Sequence, residues 1–108
     1  MPANISSVQD YFATLNDRFV ADASKGVDYV YQFEFDNGTW HVHVNDGSMT
    51  IAEGAHADPA SVLQTKEEHW VKIVNGDMSG MRAVMTRKMK VNGNIAAARK
   101  MQKIFPTN

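Results

Sequence analysis

The sequence predicts an α+β domain of two layers, a sheet with helices laid on one of its faces. Three observations predict it. Apolar residues recur at steps of three and four from Ile5 to Phe19, at steps of two from Tyr29 to Ile51, and at helical spacing again beyond Thr65. The dipeptides Asn37-Gly38 and Asp46-Gly47 interrupt the two-residue period where tight hairpins would turn. Each strand has one apolar face, and the other face is polar enough to meet water, so only the aromatic face needs helices over it.

In chain order, Ser6 with Gln9 has the form of a capping box, and Ile5, Val8, Phe12, Leu15 and Phe19 form one apolar stripe. This predicts an amphipathic helix of about four to five turns, stopped at Lys25-Gly26. Tyr29, Tyr31, Phe33 and Phe35 then define the inward face of a first strand, Trp40, Val42 and Val44 that of a second, and Met49 and Ile51 that of a third. With Asn37-Gly38 as a two-residue type I′ loop, Phe35 faces Trp40, Phe33 faces Val42 and Glu34 faces His41. With Asp46-Gly47 as the next loop, Val44 faces Met49 and Val42 faces Ile51. Every apolar residue meets an apolar residue, and a slip of one would mix the faces. Asp58-Pro59 marks a turn before a short fourth strand at Ser61 to Gln64. Thr65 with Glu68 reads as a second capping box, opening a helix that carries Trp70, Val71, Ile73 and Val74 and stops at Asn75-Gly76. A helix from Ser79 to about Arg87, a short strand in "MKVNGN" and a last helix capped by Asn94 complete the order. That final helix turns Ile95, Ala98, Met101 and Phe105 to one side and Arg99, Lys100 and Lys103 to the other, and Pro106 closes it.

The 108 residues make one domain, with no repeat, linker or low-complexity segment. No apolar run approaches the roughly 18 residues of a membrane span, and the N-terminus has no signal-peptide pattern. The expected location is cytoplasmic. The absence of Cys excludes thiol catalysis, disulfides and Cys-based zinc sites. Charge is unevenly distributed: residues 1–76 hold four Lys and Arg against eleven Asp and Glu, net −7, whereas residues 77–108 hold seven against Asp77 alone, net +6. The basic block can face anionic lipid or an acidic partner, or serve only as an intramolecular counterweight. Nucleic acid fits less well, because no aromatic residue interleaves with these cations before Phe105.

The order of elements, the stretch "ADPASVLQTKEEHWVKIVNGDM" and the closing "RKMKVNGNIAAARKMQKIF" resemble the sterol carrier protein type-2 domain. In that family a strand with the pattern Gly-Lys-(Leu/Met)-Lys-(Ile/Val)-x-Gly-(Asn/Asp) precedes the terminal helix. Lys88, Met89, Lys90, Val91, Gly93 and Asn94 match it, while Arg87 stands where the family usually has Gly. The likeness runs from about Val27 to Phe105. It implies a five-stranded, mostly antiparallel sheet with helices on one face, enclosing an apolar cavity for sterols, fatty acids, acyl-coenzyme A or phospholipids. The implied role is non-catalytic binding, and transfer, of such a lipid with no cofactor. The alternative is an accessory module that docks a partner enzyme of lipid or quinone metabolism, or a second copy of itself.

Four methionines, Met78, Met81, Met85 and Met89, would share a face on one continuous helix. Flexible thioethers suit an adaptable apolar wall, although such a stripe is more often a core face. A dry cavity of roughly 300 Å³ would cost on the order of 7 kcal/mol, so a guest fills it or side chains collapse inward. The expected lipid-binding residues are therefore Phe33, Phe35, Trp40, Val42 and Ile51 of the sheet, Trp70 and Ile73 of the helix after it, Met78, Met81 and Met85, and Ile95, Met101 and Phe105. Lys88, Lys90, Lys100 and Lys103 are the candidates for anionic headgroups. His41 and His43, with Glu34 opposite, have the residue types of a metal site, but a solvent-facing sheet carries polar residues anyway, and no metal site is assigned. Ser61, Ser79 and Thr86 lack a nucleophile context, and no glycine-rich phosphate loop or carboxylate pair stands out, so no catalytic residue is assigned.

Overall fold

The computed structural model of the protein describes residues 4–107. Its elements are α1 (Val8–Ala13), β1 (Asp28–Phe35), β2 (Gly38–Asn45), β3 (Ser48–Glu53), β4 (Ser61–Thr65), α2 (Glu67–Val74), α3 (Gly80–Met85), β5 (Met89–Gly93) and α4 (Ile95–Ile104), with 3₁₀ turns at Leu15–Asp17 and Ala21–Ser24. The five strands form one mixed sheet in the order β3-β2-β1-β4-β5. Only β1 and β4 run parallel; the other three pairings are antiparallel.

The single long N-terminal helix expected from the periodicity is instead a six-residue helix followed by two 3₁₀ turns. Thr14 ends α1, its hydroxyl donating to the Asp10 carbonyl at 2.8 Å, and the Thr, Asn and Asp that follow compete with a helical backbone through their own side chains. The apolar stripe is still satisfied, because Ile5, Val8, Phe12 and Leu15 are all buried. Capping is one residue later than expected. Ser7 Oγ accepts the Asp10 N–H at 3.0 Å, and the Asp10 carboxylate accepts the Ser6 N–H at 3.1 Å. The second expected box is absent too. Thr65 ends β4, its hydroxyl donating to the Lys88 carbonyl, and Lys66 begins α2 with no side-chain cap.

The β2–β3 hairpin has the expected register, Val44 opposite Met49 and Val42 opposite Ile51, with Asp46 at φ 44° and Gly47 at φ 88° as a type I′ loop demands. The β1–β2 hairpin is displaced by two residues. Phe33, not Phe35, faces Trp40, Phe35 faces Gly38, and Glu34 faces Thr39 rather than His41. The loop is therefore Asp36-Asn37, and Asp36 Oδ1 accepts the Glu67 N–H at 2.9 Å, tying the turn to the start of α2. A shift of two leaves every side chain on its expected face.

That face carries the core. Phe12 stacks on Trp40 at 4.6 Å between ring centroids, and Tyr11, Phe12, Phe33 and Trp70 make edge and tilted contacts between 5.1 and 6.5 Å. Tyr31 is fully buried and its hydroxyl donates to the Ala97 carbonyl of α4 at 2.7 Å, joining the last helix to the first strand. The opposite face is polar: Gln32 and Gln64 both donate to the Glu34 carboxylate, at 2.6 and 2.8 Å.

Candidate functional site

The feature that stands apart from this packed core is built by α3, β5 and α4. Ser79 caps α3, its Oγ accepting the Arg82 N–H at 3.3 Å. The helix stops after Met85 because Arg87 takes a left-handed conformation, φ 62°, which lets the Lys88 N–H donate to the Ala83 carbonyl at 2.7 Å. Arg87 thus adopts the geometry that a glycine at this position takes without strain. The chain then drops into β5, whose alternation turns Met89 and Val91 toward the helices and Lys90 to the far face.

Gly93 ends β5 opposite Ser61, and Asn94 starts α4 with three bonds besides the first helical one, which its carbonyl accepts from the Ala98 N–H at 3.1 Å. The Asn94 N–H donates to the Ala60 carbonyl at 2.8 Å, its Oδ1 accepts the Ala97 N–H at 3.1 Å, and its carbonyl accepts the Ser61 hydroxyl at 2.7 Å. These bonds place α4 with Ala97, Met101 and Ile104 against the core.

Ala83 is the buried residue of α3, so Met81 and Met85 lie outward, 73% and 77% exposed. Between α3 and α4 an open apolar groove of about 430 Å³ remains. Leu63, Met89 and Val91 of β4 and β5 floor it; Gly80, Met81, Val84 and Met85 form one wall; Ile95, Ala98 and Met101 form the other, with Arg99 and Gln102 at the rim. A second depression of about 740 Å³ lies along the other flank of α3, sharing Met81 and Met85 and adding Met78, Arg82 and Lys88.

Of the residues singled out from sequence, the structure brings Met81, Met85, Ile95 and Met101 together in the groove and places Met78 in the neighbouring depression. The methionines do not share one helix, because Met78 precedes the α3 cap and Met89 belongs to β5. Phe33, Phe35, Trp40 and Trp70 lie in the aromatic cluster, Val42 is fully buried, and Ile51 packs against that core from β3. Ile73 is buried in α2, and Phe105 packs on Phe19 with ring centroids 5.7 Å apart. Leu63, Val84, Met89, Val91 and Ala98 are groove residues outside the expected lipid-binding set, although the sequence already placed Ala98 on the apolar side of the last helix. The inward alternation of β5 and the i, i+3 spacing of Ile95 and Ala98 were the available signals.

Among the cations, Lys88 lines the second depression, Lys90 lies on the open sheet face opposite Gln64, and Lys100 and Lys103 are exposed on α4. The histidines have local partners: His41 Nδ1 is 2.9 Å from the Gly54 carbonyl, and His43 Nε2 is 2.6 Å from Asp28 Oδ1. Among the described residues no three His, Cys, Asp or Glu side chains gather to hold a metal ion, and no helix is long and apolar enough to cross a membrane.

Burial pushes the Tyr31 hydroxyl up to about 12, with Tyr29 adding to the rise, and raises Tyr11 as well against the opposing charge of Arg18. Both phenols belong to the core rather than the groove, which offers apolar surface and a cationic rim.

A family model described as the SCP-2 sterol transfer family matches residues 9–106. The chain is 31% identical over 107 residues to hydroxysteroid dehydrogenase-like protein 2 of Bos taurus and 28% identical over 103 residues to that of Homo sapiens. It is covered for 95% and 92% of its length, yet spans only 26% and 25% of those proteins. Among solved structures it is similar to palmitated SCP2L2 from Aedes aegypti, with TM-score 0.69 and 17% identity over 92% of this chain and 94% of that one. It is also similar to the sec-alkylsulfatase Pisa1 from Pseudomonas sp., with TM-score 0.79 and 14% identity over 91% of this chain and 16% of that one. At these identities the structural likeness concerns the fold.

Proposed function

The chain belongs to the SCP-2 sterol transfer family, and from that premise we propose that it binds one flexible apolar chain in the groove between α3 and α4. Family membership supports lipid binding or transfer in general. What supports the location is the groove: about 430 Å³, within the usual range of small-molecule sites, and lined by apolar side chains from four elements. A guest lying in the groove covers chiefly the exposed surface of Met81, Val84, Met85 and Ile95 on its walls, at roughly 25 cal/mol per Å² of apolar area, because Leu63 and Met89 on its floor are already buried. Met81, Met85 and Met101 adapt to an alkyl chain without demanding one shape, which favours a class of ligands over a single compound. Arg99 at the rim is placed to meet a carboxylate or phosphate headgroup. The ligand class is thus a fatty acyl chain with an anionic head, alone or as part of an acyl ester or phospholipid, and no bond is made or broken.

The test is a fluorescent fatty acid titrated into delipidated protein. Ala98→Phe fills the groove from its α4 wall and is expected to weaken binding by about tenfold or more, the equivalent of about 1.4 kcal/mol. Wild-type protein that shows no saturable binding, or an Ala98→Phe variant that binds as tightly, overturns the proposal.

A second reading rests on length. Because the chain spans about a quarter of its curated relatives, the domain can act as a module that presents lipid to a partner enzyme. A stable complex that forms without lipid and survives Ala98→Phe would favour it.

A further inference from the structure

Among the described residues five large apolar side chains are notably exposed, and four of them belong to one patch. Met81, Val84 and Met85 on α3 are 73%, 42% and 77% exposed, and Ile95 at the start of α4 is 52% exposed. The fifth, Val20, lies near the opposite end of α4, where its N–H donates to the Ile104 carbonyl. The patch therefore sits on the two lips of the groove.

The charge around it is predominantly positive, with Asp77 the one carboxylate in the lining of the depression beside α3. Arg82 and Lys88 line the depression on one flank of α3, Arg99 rims the groove on the other, and Arg87 ends the helix. Residues 78–107 contain no Asp or Glu. The helix α1 offers no such surface, since Val8, Tyr11 and Phe12 are buried against the core.

We propose that α3 is a membrane-docking element, placing Met81, Val84, Met85 and Ile95 in the interfacial region of an anionic bilayer while Arg82, Arg87, Lys88 and Arg99 meet lipid phosphates. The combination of an apolar tip and a cationic collar is what interfacial binding requires: apolar burial anchors the protein, and anionic headgroups attract and orient it. A second copy fits worse, because a two-fold contact through this patch sets the same cations against one another. A folded protein partner fits worse as well. Flexible thioethers on a six-residue helix present no fixed relief to match, and disordered acyl chains demand none. Of the four lysines named from sequence, only Lys88 belongs to this collar; Lys90 lies on the opposite sheet face. The consequence for a ligand rests on the acyl-chain reading of the groove: its lips would then open directly onto lipid, so that a chain need not cross water.

The sequence contains no Cys, so Met85→Cys and, as a control on the exposed outer face of β3, Thr50→Cys can each carry one environment-sensitive fluorophore. Delipidated protein is mixed with vesicles of phosphatidylcholine alone or with about one-third phosphatidylserine. The proposal expects sedimentation with the anionic vesicles only, weakening as salt rises, and a blue shift at position 85 but not at 50. Met81→Ser with Met85→Ser, and Arg82→Gln with Lys88→Gln, should each lower partitioning by about tenfold while leaving the melting temperature within a few degrees, since all four side chains are exposed. Equal capture by both vesicle types, a shift at both probes, or unchanged partitioning in the serine pair overturns it. A dimer in sedimentation velocity that the serine pair abolishes also overturns it, in favour of a second copy. Capture is read without any ligand, so fatty-acid binding can fail while vesicle docking succeeds.

Discussion

Replacing Gly93 by alanine should unsettle the groove from its base. Gly93 holds φ at +90°, and a Cβ built there would stand 2.5 Å from the Ala60 carbonyl oxygen and 3.2 Å from Ser61 Cα. Both are backbone atoms of the neighbouring strand end, so no side-chain rotation relieves the contact. The left-handed backbone alone costs an L-residue about 1–2 kcal/mol. Separating the strands adds the Asn94 N–H to Ala60 carbonyl bond at 2.8 Å and the Ser61 hydroxyl to Asn94 carbonyl bond at 2.7 Å, about 1 kcal/mol each. The expected loss is about 3–4 kcal/mol, a large fraction of the stability of a small domain. Because the same bonds seat the start of α4, fatty-acid affinity should fall as well. Gly26→Ala is the internal comparison: φ is +75° but nothing lies within 4 Å of the added Cβ, so only the backbone cost applies, about 1–2 kcal/mol. Urea unfolding of the two variants reads the difference directly. Equal losses would refute the close-approach argument, and a Gly93→Ala variant as stable as wild type would refute the geometry itself.

Arg87→Gly should stabilise the protein by up to about 1 kcal/mol, since it relieves a non-glycine residue at φ 62°; a lower denaturation midpoint would contradict this. Phe33→Ala removes a fully buried ring packed on Phe12 and Trp70 and should cost about 3–5 kcal/mol in urea unfolding, whereas a loss under about 1 kcal/mol would mean the aromatic cluster is looser than described. Alkaline titration followed by circular dichroism should show stability intact below pH 10 and falling as pH rises through about 12. The sign follows because Tyr31 and Tyr11 hold their protons more tightly folded than unfolded, so the unfolded chain ionises first. Tyr31→Phe should shrink the Tyr31 share of that alkaline loss, and an unchanged profile would assign it to other groups.

The strand faces could be read directly from the chain, because a period of two is local and survives an error of two in pairing. The β2–β3 turn could be read for a similar reason: Asp46 and Gly47 tolerate the positive φ that a type I′ loop imposes, so the residues carry their own geometry. The β1–β2 turn could not. Asn37-Gly38 offered an equally good local loop, and the bond from the Glu67 N–H to Asp36, between residues 31 apart, accompanies the alternative closure. The long N-terminal helix failed similarly, since the segment before α1, the short α1 and the first 3₁₀ turn bury Ile5, Val8, Phe12 and Leu15 as well as one straight helix would. Family motifs pointed to the strand and helix that bound the groove, including the departure at Arg87, which takes a left-handed backbone at φ 62°.

Local chemistry along the chain thus set the α+β class, the two sheet faces, the final helix caps and the basic character of the last third. Assembly set the rest. The parallel insertion of β4 between β1 and β5, and the rotation of α3 that buries Ala83 and leaves Met81 and Met85 outside, depend on contacts between distant segments. A helix of six residues has too few turns for its periodicity to name an inward side, so that side is settled by what packs closest against β5.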